Sequence, residues 1–172
     1  MISTAICGNS CTRRKNRSLV ILSVVVFSRA VTVAVRGMPG PILELGLGNG
    51  RTYDHLRQLF PQREIFVFER EVRAHPACIP PDDRLFLGDI EDTLADAARR
   101  LGATAVLAHT DLGTGDQQAN EALGRFLGPA LDRLMAPGGL VLANQKLDVA
   151  RWTRMPEPPD VMPDRYFIYQ LG

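Results

Sequence analysis

The sequence carries almost no excess of charge of either sign: 20 Lys and Arg stand against 19 Asp and Glu, a net charge of +1. Without a basic field the chain lacks the phosphate-neutralising surface that dominates binding to DNA or RNA, so a nucleic acid is not the favoured partner. Cysteine is scarce and odd in number. Cys7, Cys11 and Cys78 offer one Cys-x-x-x-Cys spacing and no second pair to complete a zinc site, and reduced thiols in a cytoplasmic protein follow as the reading. No His-x-His or similar cluster marks a metal centre, and no internal repeat is visible. The one biased stretch is the proline-rich run Met155 to Pro163, a connector. What is present fits one globular domain with a sizeable core: 172 residues, 45% of them apolar.

The most informative stretch runs from Pro41 to Tyr53 and reads Pro-Ile-Leu-Glu-Leu-Gly-Leu-Gly-Asn-Gly-Arg-Thr-Tyr. The apolar run Ile42 to Leu45 predicts a buried strand, closed by glycines at alternate positions and followed by a helix over Thr52 to Phe60. Tyr53, Leu56, Leu59 and Phe60 share one face of that helix, and Pro61 ends it. Glycine in such a turn accepts positive φ and lets backbone N–H groups approach a ligand over the helix N-terminus. The spacing excludes two familiar ligand sites. A dinucleotide fingerprint needs a third glycine where Arg51 stands, and no Gly-Lys-Ser/Thr closes a P-loop.

Two further strand ends agree with a nucleoside site. Ile65 to Glu69 predicts a second strand whose terminal acid is placed to accept from ribose hydroxyls, and Arg84 to Ile90 a third that ends in Gly88-Asp89. Each acid also has a plainer reading, Glu69 as a solvated strand-end residue and Asp89 as the N-cap of the helix that follows. The pattern Glu44-x-Gly46-x-Gly48-x-Gly50, followed by Glu69 and Asp89 at strand ends in that order, resembles motif I and its partners in the class I S-adenosylmethionine (SAM) dependent methyltransferases. Leu134-x-x-Pro137-Gly138-Gly139-x-Val141 is similar to a phrase frequent before the fifth strand of that family.

The resemblance covers about Pro39 to Gly172. It implies an α/β fold, a Rossmann-like three-layer sandwich with a mostly parallel sheet and an antiparallel C-terminal strand. It implies S-adenosyl-L-methionine as cofactor, with Glu44, Gly46, Gly48, Asn49, Gly50, Thr52, Tyr53, Glu69, Asp89 and Ile90 as the cofactor-binding set. In such a site Asp89 accepts from the adenine amino group and the Ile90 N–H reaches a ring nitrogen.

Along the rest of the chain, Pro76, Pro80 and Pro81 leave room for only a short turn of helix around Glu71 to His75, with His75 at the surface. Glu91 to Leu101 predicts a helix with acids in its first turn, Arg99 and Arg100 in its last and Gly102 beyond it, burying Leu94, Ala97, Ala98 and Leu101. Ala103 to Ala108 predicts the fourth strand, which runs into the loop His109 to Gly115. Ligands of open parallel sheets lie at the carboxyl ends of strands, so this loop is expected to face the transferred methyl group, with Asp111 and His109 as candidate proton acceptors. Gln117 to Met135 predicts a helix bent or broken at Gly128-Pro129, Leu140 to Ala143 a fifth strand, and Tyr166 to Leu171 a last one, with space for one very short strand more.

Residues 1–36 stand outside the resemblance and form an N-terminal extension ahead of a 37–172 methyltransferase domain. Arg13, Arg14, Lys15 and Arg17 precede the apolar run Leu19 to Phe27, and Ser28-Arg29-Ala30 follows, the layout of a signal peptide or short anchor. The run is short for a span and Arg29 interrupts it, which favours a helix or strand that packs on the sheet or lids the cofactor; a targeting segment and a misassigned start are the other readings. No membrane is favoured as partner, and cytoplasmic location is the expectation.

The chain is therefore read as a SAM-dependent methyltransferase acting on a small-molecule acceptor, with a non-catalytic SAM or S-adenosylhomocysteine (SAH) binding module as the alternative. The loop after the fourth strand lacks the Asn/Asp-Pro-Pro-aromatic motif of adenine and glutamine amino-group enzymes and the Pro-Cys pair of cytosine C5 enzymes. A nicotinamide enzyme is disfavoured by Arg51.

Overall fold

The computed structural model describes residues 29–156 and 166–172. Cys7, Cys11, the run Leu19 to Phe27 and most of the proline-rich connector lie outside the described residues. The order is α1 (Arg29–Arg36), β1 (Ile42–Leu45), α2 (Arg51–Leu59), β2 (Ile65–Glu69), β3 (Leu85–Leu87), α3 (Ile90–Leu101), β4 (Ala105–Thr110), α4 (Gln117–Asp132), β5 (Met135–Ala143), β6 (Trp152–Met155) and β7 (Phe167–Leu171).

The seven strands make one sheet in the order β3-β2-β1-β4-β5-β7-β6. The four pairings among β1 to β5 are parallel, and β7 runs antiparallel between β5 and β6. A parallel sheet is covered on both faces, so its strands read as unbroken apolar runs: every residue of β1 and of β4 is buried. Alternation then divides the side chains. Leu43, Leu45, Phe66 and Phe68 face Leu94 of α3 and Leu127 and Leu131 of α4. Ile42, Ile65 and Val67 face Val31 and Val35 of α1 and Tyr53 and Leu56 of α2. This is the three-layer sandwich expected.

The segment ahead of the turn at Gly37 is a helix against the sheet. The Arg63 guanidinium fastens its C-terminus, donating to the carbonyls of Val35 (3.1 Å), Arg36 (3.2 Å), Met38 (2.8 Å) and Gly40 (2.7 Å). None of the helices among the described residues is long and apolar enough to cross a membrane.

Four boundaries differ from the sequence expectation. The short helical turn stands at Pro76–Cys78 rather than Glu71 to His75, because His75 caps it, Nδ1 accepting from the Ala77 N–H at 3.2 Å. β4 continues through His109 and Thr110, whose polar character looked like loop, since they stay in register with Glu44 and Leu45 of β1. α4 runs unbroken through Pro129. The proline removes one backbone hydrogen bond, but the burial of Leu127 and Leu131 on either side keeps the segment helical. β5 begins at Met135 and takes Pro137-Gly138-Gly139 into the strand through a register shift against β4 between Ala105 and Leu107.

The C-terminal strands are pinned from inside. The Tyr169 hydroxyl accepts from the buried Leu147 N–H at 2.9 Å, its ring beside Trp152 and Phe167. Tyr169→Phe leaves that donor without a partner and is expected to cost about 1–2 kcal/mol in chemical denaturation. Stability unchanged to within experimental error would show that the Leu147 N–H is satisfied in another way.

Candidate functional site

At the carboxyl ends of β1 to β4 the chain forms a cleft of about 560 Å³, a size usual for small-molecule sites. Its floor is the turn after β1. Gly46, Gly48 and Gly50 have φ values of 95°, 52° and 82°. A Cβ at Gly46 would lie 3.0 Å from Leu112 Cδ2 and one at Gly50 2.4 Å from Cys78 Cβ, whereas one at Gly48 would meet nothing within 4 Å. Protein closes on the first and third glycines. The second is open to the cleft, the place where a ligand can lie on the backbone.

The neighbouring strand ends bring acids to the same cleft. Glu69 Oε2 accepts from the Gly48 N–H at 2.9 Å, and Oε1 from the N–H groups of Arg70 (2.8 Å) and Glu71 (3.3 Å), so the carboxylate ties the glycine turn to the end of β2. Asp89 occupies the N-cap position of α3, yet its side chain makes no cap hydrogen bond. Asp89 lines the cleft, with Ile90 beside it.

The opposite wall is the loop Asp111 to Thr114, which is clamped from behind. Asn144 Nδ2 donates to Asp111 Oδ1 (3.0 Å) and to the Leu112 carbonyl (2.8 Å), and Gln145 Nε2 donates to that same carbonyl. Asn120 of α4 closes on Thr114 with both ends of its amide, Oδ1 accepting at 2.9 Å and Nδ2 donating at 2.8 Å. Both amide orientations are fixed by these partners.

Of the residues expected to form the site, Gly46, Gly48, Asn49, Thr52, Glu69, Asp89, Ile90 and Asp111 line the cleft. Glu44, Gly50, Tyr53 and His109 do not. Gly50 is packed on Cys78, and Tyr53 turns its ring into the core under Arg57, whose guanidinium carbon is 5.0 Å from the ring centroid. Glu44 and His109 alternate onto the α1 and α2 side of the sheet, where Glu44 Oε2 meets His109 Nδ1 at 2.9 Å with both side chains 1% exposed.

Burial raises the Glu44 pKa above its ordinary value against the pull of His109. For His109, burial works downward, but the charge and hydrogen bond of Glu44, with Asp111 farther off, carry the balance upward. His109 is thus a buried partner of Glu44 within β4 and not a loop residue lining the cleft.

Arg51, Phe68, Arg70, Asn120 and Leu123 also line the cleft, and Asn144 and Gln145 stand behind it. The signal that would have found the last pair is positional: they follow β5 as Asp111 follows β4, and strand ends of a parallel sheet gather on one side.

Residues 25–171 match a family model described as S-adenosyl-L-methionine methyltransferase, which starts ahead of the boundary at 36/37. Among solved structures, an S-adenosyl-L-methionine methyl transferase from Silicibacter pomeroyi DSS-3 aligns with a TM-score of 0.81 at 40% identity, over 92% of this chain and 100% of that one. Human methyltransferase-like protein 13 in complex with SAH aligns at 0.54 and 15% identity, over 89% and 79% of the two chains. A probable spermidine synthase from Corynebacterium glutamicum ATCC 13032 aligns at 0.50 and 17%, over 83% and 60%. The last two share the fold alone. No curated protein matches.

Proposed function

We propose, given that this chain belongs to the S-adenosyl-L-methionine methyltransferase family, that it methylates a small-molecule acceptor which enters over the loop Asp111 to Thr114. The observation that carries the reading is the spatial order of the strand ends. Across the ends of β3, β2, β1 and β4, strands that neighbour one another in the sheet, stand Asp89, Glu69, the glycine turn and Asp111 in that order. That row matches adenine, ribose and amino-acid tail taken in sequence. Asp89 accepts from the adenine amino group, Glu69 from the ribose hydroxyls, and the tail crosses the open backbone at Gly48.

The cofactor supplies a methyl group already activated by its sulfonium. The chain's own residues align the partners and exclude water, which is what an in-line displacement needs from a protein. The absence of any large net charge argues against a nucleic acid as acceptor.

Calorimetric titration with SAM and SAH, with NADH as control, tests the cofactor half; a screen of small acceptors with methyl-labelled SAM tests the other. Asp89→Ala is expected to weaken SAH binding by about 1–3 kcal/mol while leaving the melting temperature in place, because the side chain caps nothing. Full SAH affinity in a folded Asp89→Ala protein would remove the adenine contact. Label transfer to tRNA or rRNA, with none to small acceptors, would overturn the acceptor class.

A further inference from the structure

The methyl donor and its product differ by one charge. The donor's sulfur is a sulfonium and the product's a neutral thioether, so a site tells them apart by the electrostatic potential where the sulfur lies. With the nucleoside at Asp89 and Glu69 and the tail on Gly48, that sulfur falls over the glycine turn at the end of β1.

Behind the turn lies a titratable pair that the cleft does not expose. Glu44 and His109 stand opposite each other on β1 and β4, joined at 2.9 Å with each 1% exposed. Two residues farther along, the same two segments bring Gly46 and Asp111 to the cleft. While the pair holds one proton between carboxylate and imidazole it is neutral overall, and once that proton leaves it carries a negative charge. A buried charge is screened by salt far less than one at the surface.

The surroundings leave that change to the pair itself. Val67 of β2 stands opposite Glu44, and Leu142 of β5 opposite His109. The Tyr166 ring stacks on the imidazole. On α2, burial raises the Tyr53 pKa from 10.0 and lowers that of His55 from 6.5, so both are neutral between pH 7 and pH 9. Asp54 and Arg57 are paired with each other at 2.6 Å, and Arg51 lines the cleft. Arg36 of α1 lies beside Pro41 and Glu64, where β1 and β2 begin. Asp111 is the further charge that acts on both members, and it favours the protonated pair.

We propose that the Glu44–His109 pair sets how the site tells donor from product: on losing its proton it places a negative charge behind the sulfonium, so the donor is preferred more strongly as pH rises. The proposal rests on the reading that the nucleoside lies at Asp89 and Glu69. By linkage the sulfonium draws the proton off the pair when it binds, and SAH does not.

The test is calorimetry on the full chain with two adenosines that lack the amino-acid portion, so that no amino group of the ligand titrates. They are 5′-dimethylsulfonio-5′-deoxyadenosine, which is cationic, and 5′-methylthioadenosine, which is neutral. From pH 7 to pH 9 at constant ionic strength, the wild-type affinity ratio of the cationic to the neutral probe is expected to rise at least about threefold. Glu44→Leu with His109→Leu is expected to hold the ratio constant, as is Glu44→Gln, which keeps an oxygen for the imidazole and cannot carry the charge. A purely structural role for the pair would leave the wild-type ratio flat as well.

A wild-type ratio that stays flat or falls overturns the proposal, and so does one that rises equally in either variant. Failure of both probes and of SAH to bind overturns the nucleoside reading beneath it.

Discussion

Gly50→Ala is expected to lower the unfolding free energy by about 2–5 kcal/mol, because two separate penalties fall on one methyl group. The residue has φ of 82°, in the left-handed region, where a Cβ costs about 1–2 kcal/mol. That Cβ would also lie 2.4 Å from Cys78 Cβ and 3.2 Å from the Cys78 carbonyl oxygen, and overpacking of this kind adds about 1–3 kcal/mol. The backbone has no easy escape. Gly50 N–H donates to Leu47 O at 2.8 Å and Gly50 O accepts from Asp54 N–H at 2.9 Å, so turning the residue away breaks both the glycine turn and the first turn of α2.

Chemical denaturation of four variants, Cys78→Gly alone among them, checks this. Gly50→Ala alone carries both penalties; Gly50→Ala with Cys78→Gly removes the overlap and keeps the φ strain, so the double change is expected to be less destabilising than the sum of the singles. Gly48→Ala is the contrast: with open space around it, it carries only backbone strain, and its main effect is expected on SAH affinity. A Gly50→Ala protein within about 0.5 kcal/mol of wild type would show that the Pro76–Cys78 turn moves aside freely.

Gly50 also shows where the sequence was legible and where it stopped. Three alternate glycines between a strand and a helix announce a ligand turn, and the structure has that turn between β1 and α2. Which glycine meets the ligand and which meets the protein depends on Cys78, distant in sequence, and no local pattern carries that. That Glu69 and Asp89 come to one cleft is readable because a parallel sheet brings its strand ends together whatever the loops between them do. His109 was misplaced because a polar residue at the end of an apolar run reads as the start of a loop. Its register against Glu44 is a long-range fact, and the pairing is what allows it to be buried. The break that Pro129 suggests does not occur for a related reason: local propensity counts the lost hydrogen bond, while Gly124 and Gly128 let α4 settle onto the backbone of Lys146 and the side chain of Val149.

The pair behind the sheet should yield the other large effect. Glu44 and His109 are joined at 2.9 Å in a region where each is 1% exposed, with the Tyr166 ring stacked on the imidazole at a centroid distance of 6.5 Å. Removing one member leaves the other buried without the group that neutralises it, so Glu44→Leu and His109→Leu are each expected to cost about 3–5 kcal/mol. Replacing both by leucine removes the charges together and is expected to cost much less than the sum, with a coupling energy of several kcal/mol in the double-mutant cycle.

The sign of the pH dependence follows from two upward shifts. The folded His109 keeps its proton above the ordinary value of 6.5, so its contribution is complete below about pH 6.5 and is lost as pH rises through the higher folded value. Glu44 shifts upward from 4.5, so it too binds protons more tightly when folded, and its effect has the same sign. Wild type is therefore expected to lose stability relative to the double-leucine protein between pH 6 and pH 9, as read from denaturation midpoints at constant ionic strength. A wild type that gains on the double variant over that interval would mean that the folded pair gives up its proton more readily than free side chains do, and that the contact is a hydrogen bond between a carboxylate and a neutral imidazole.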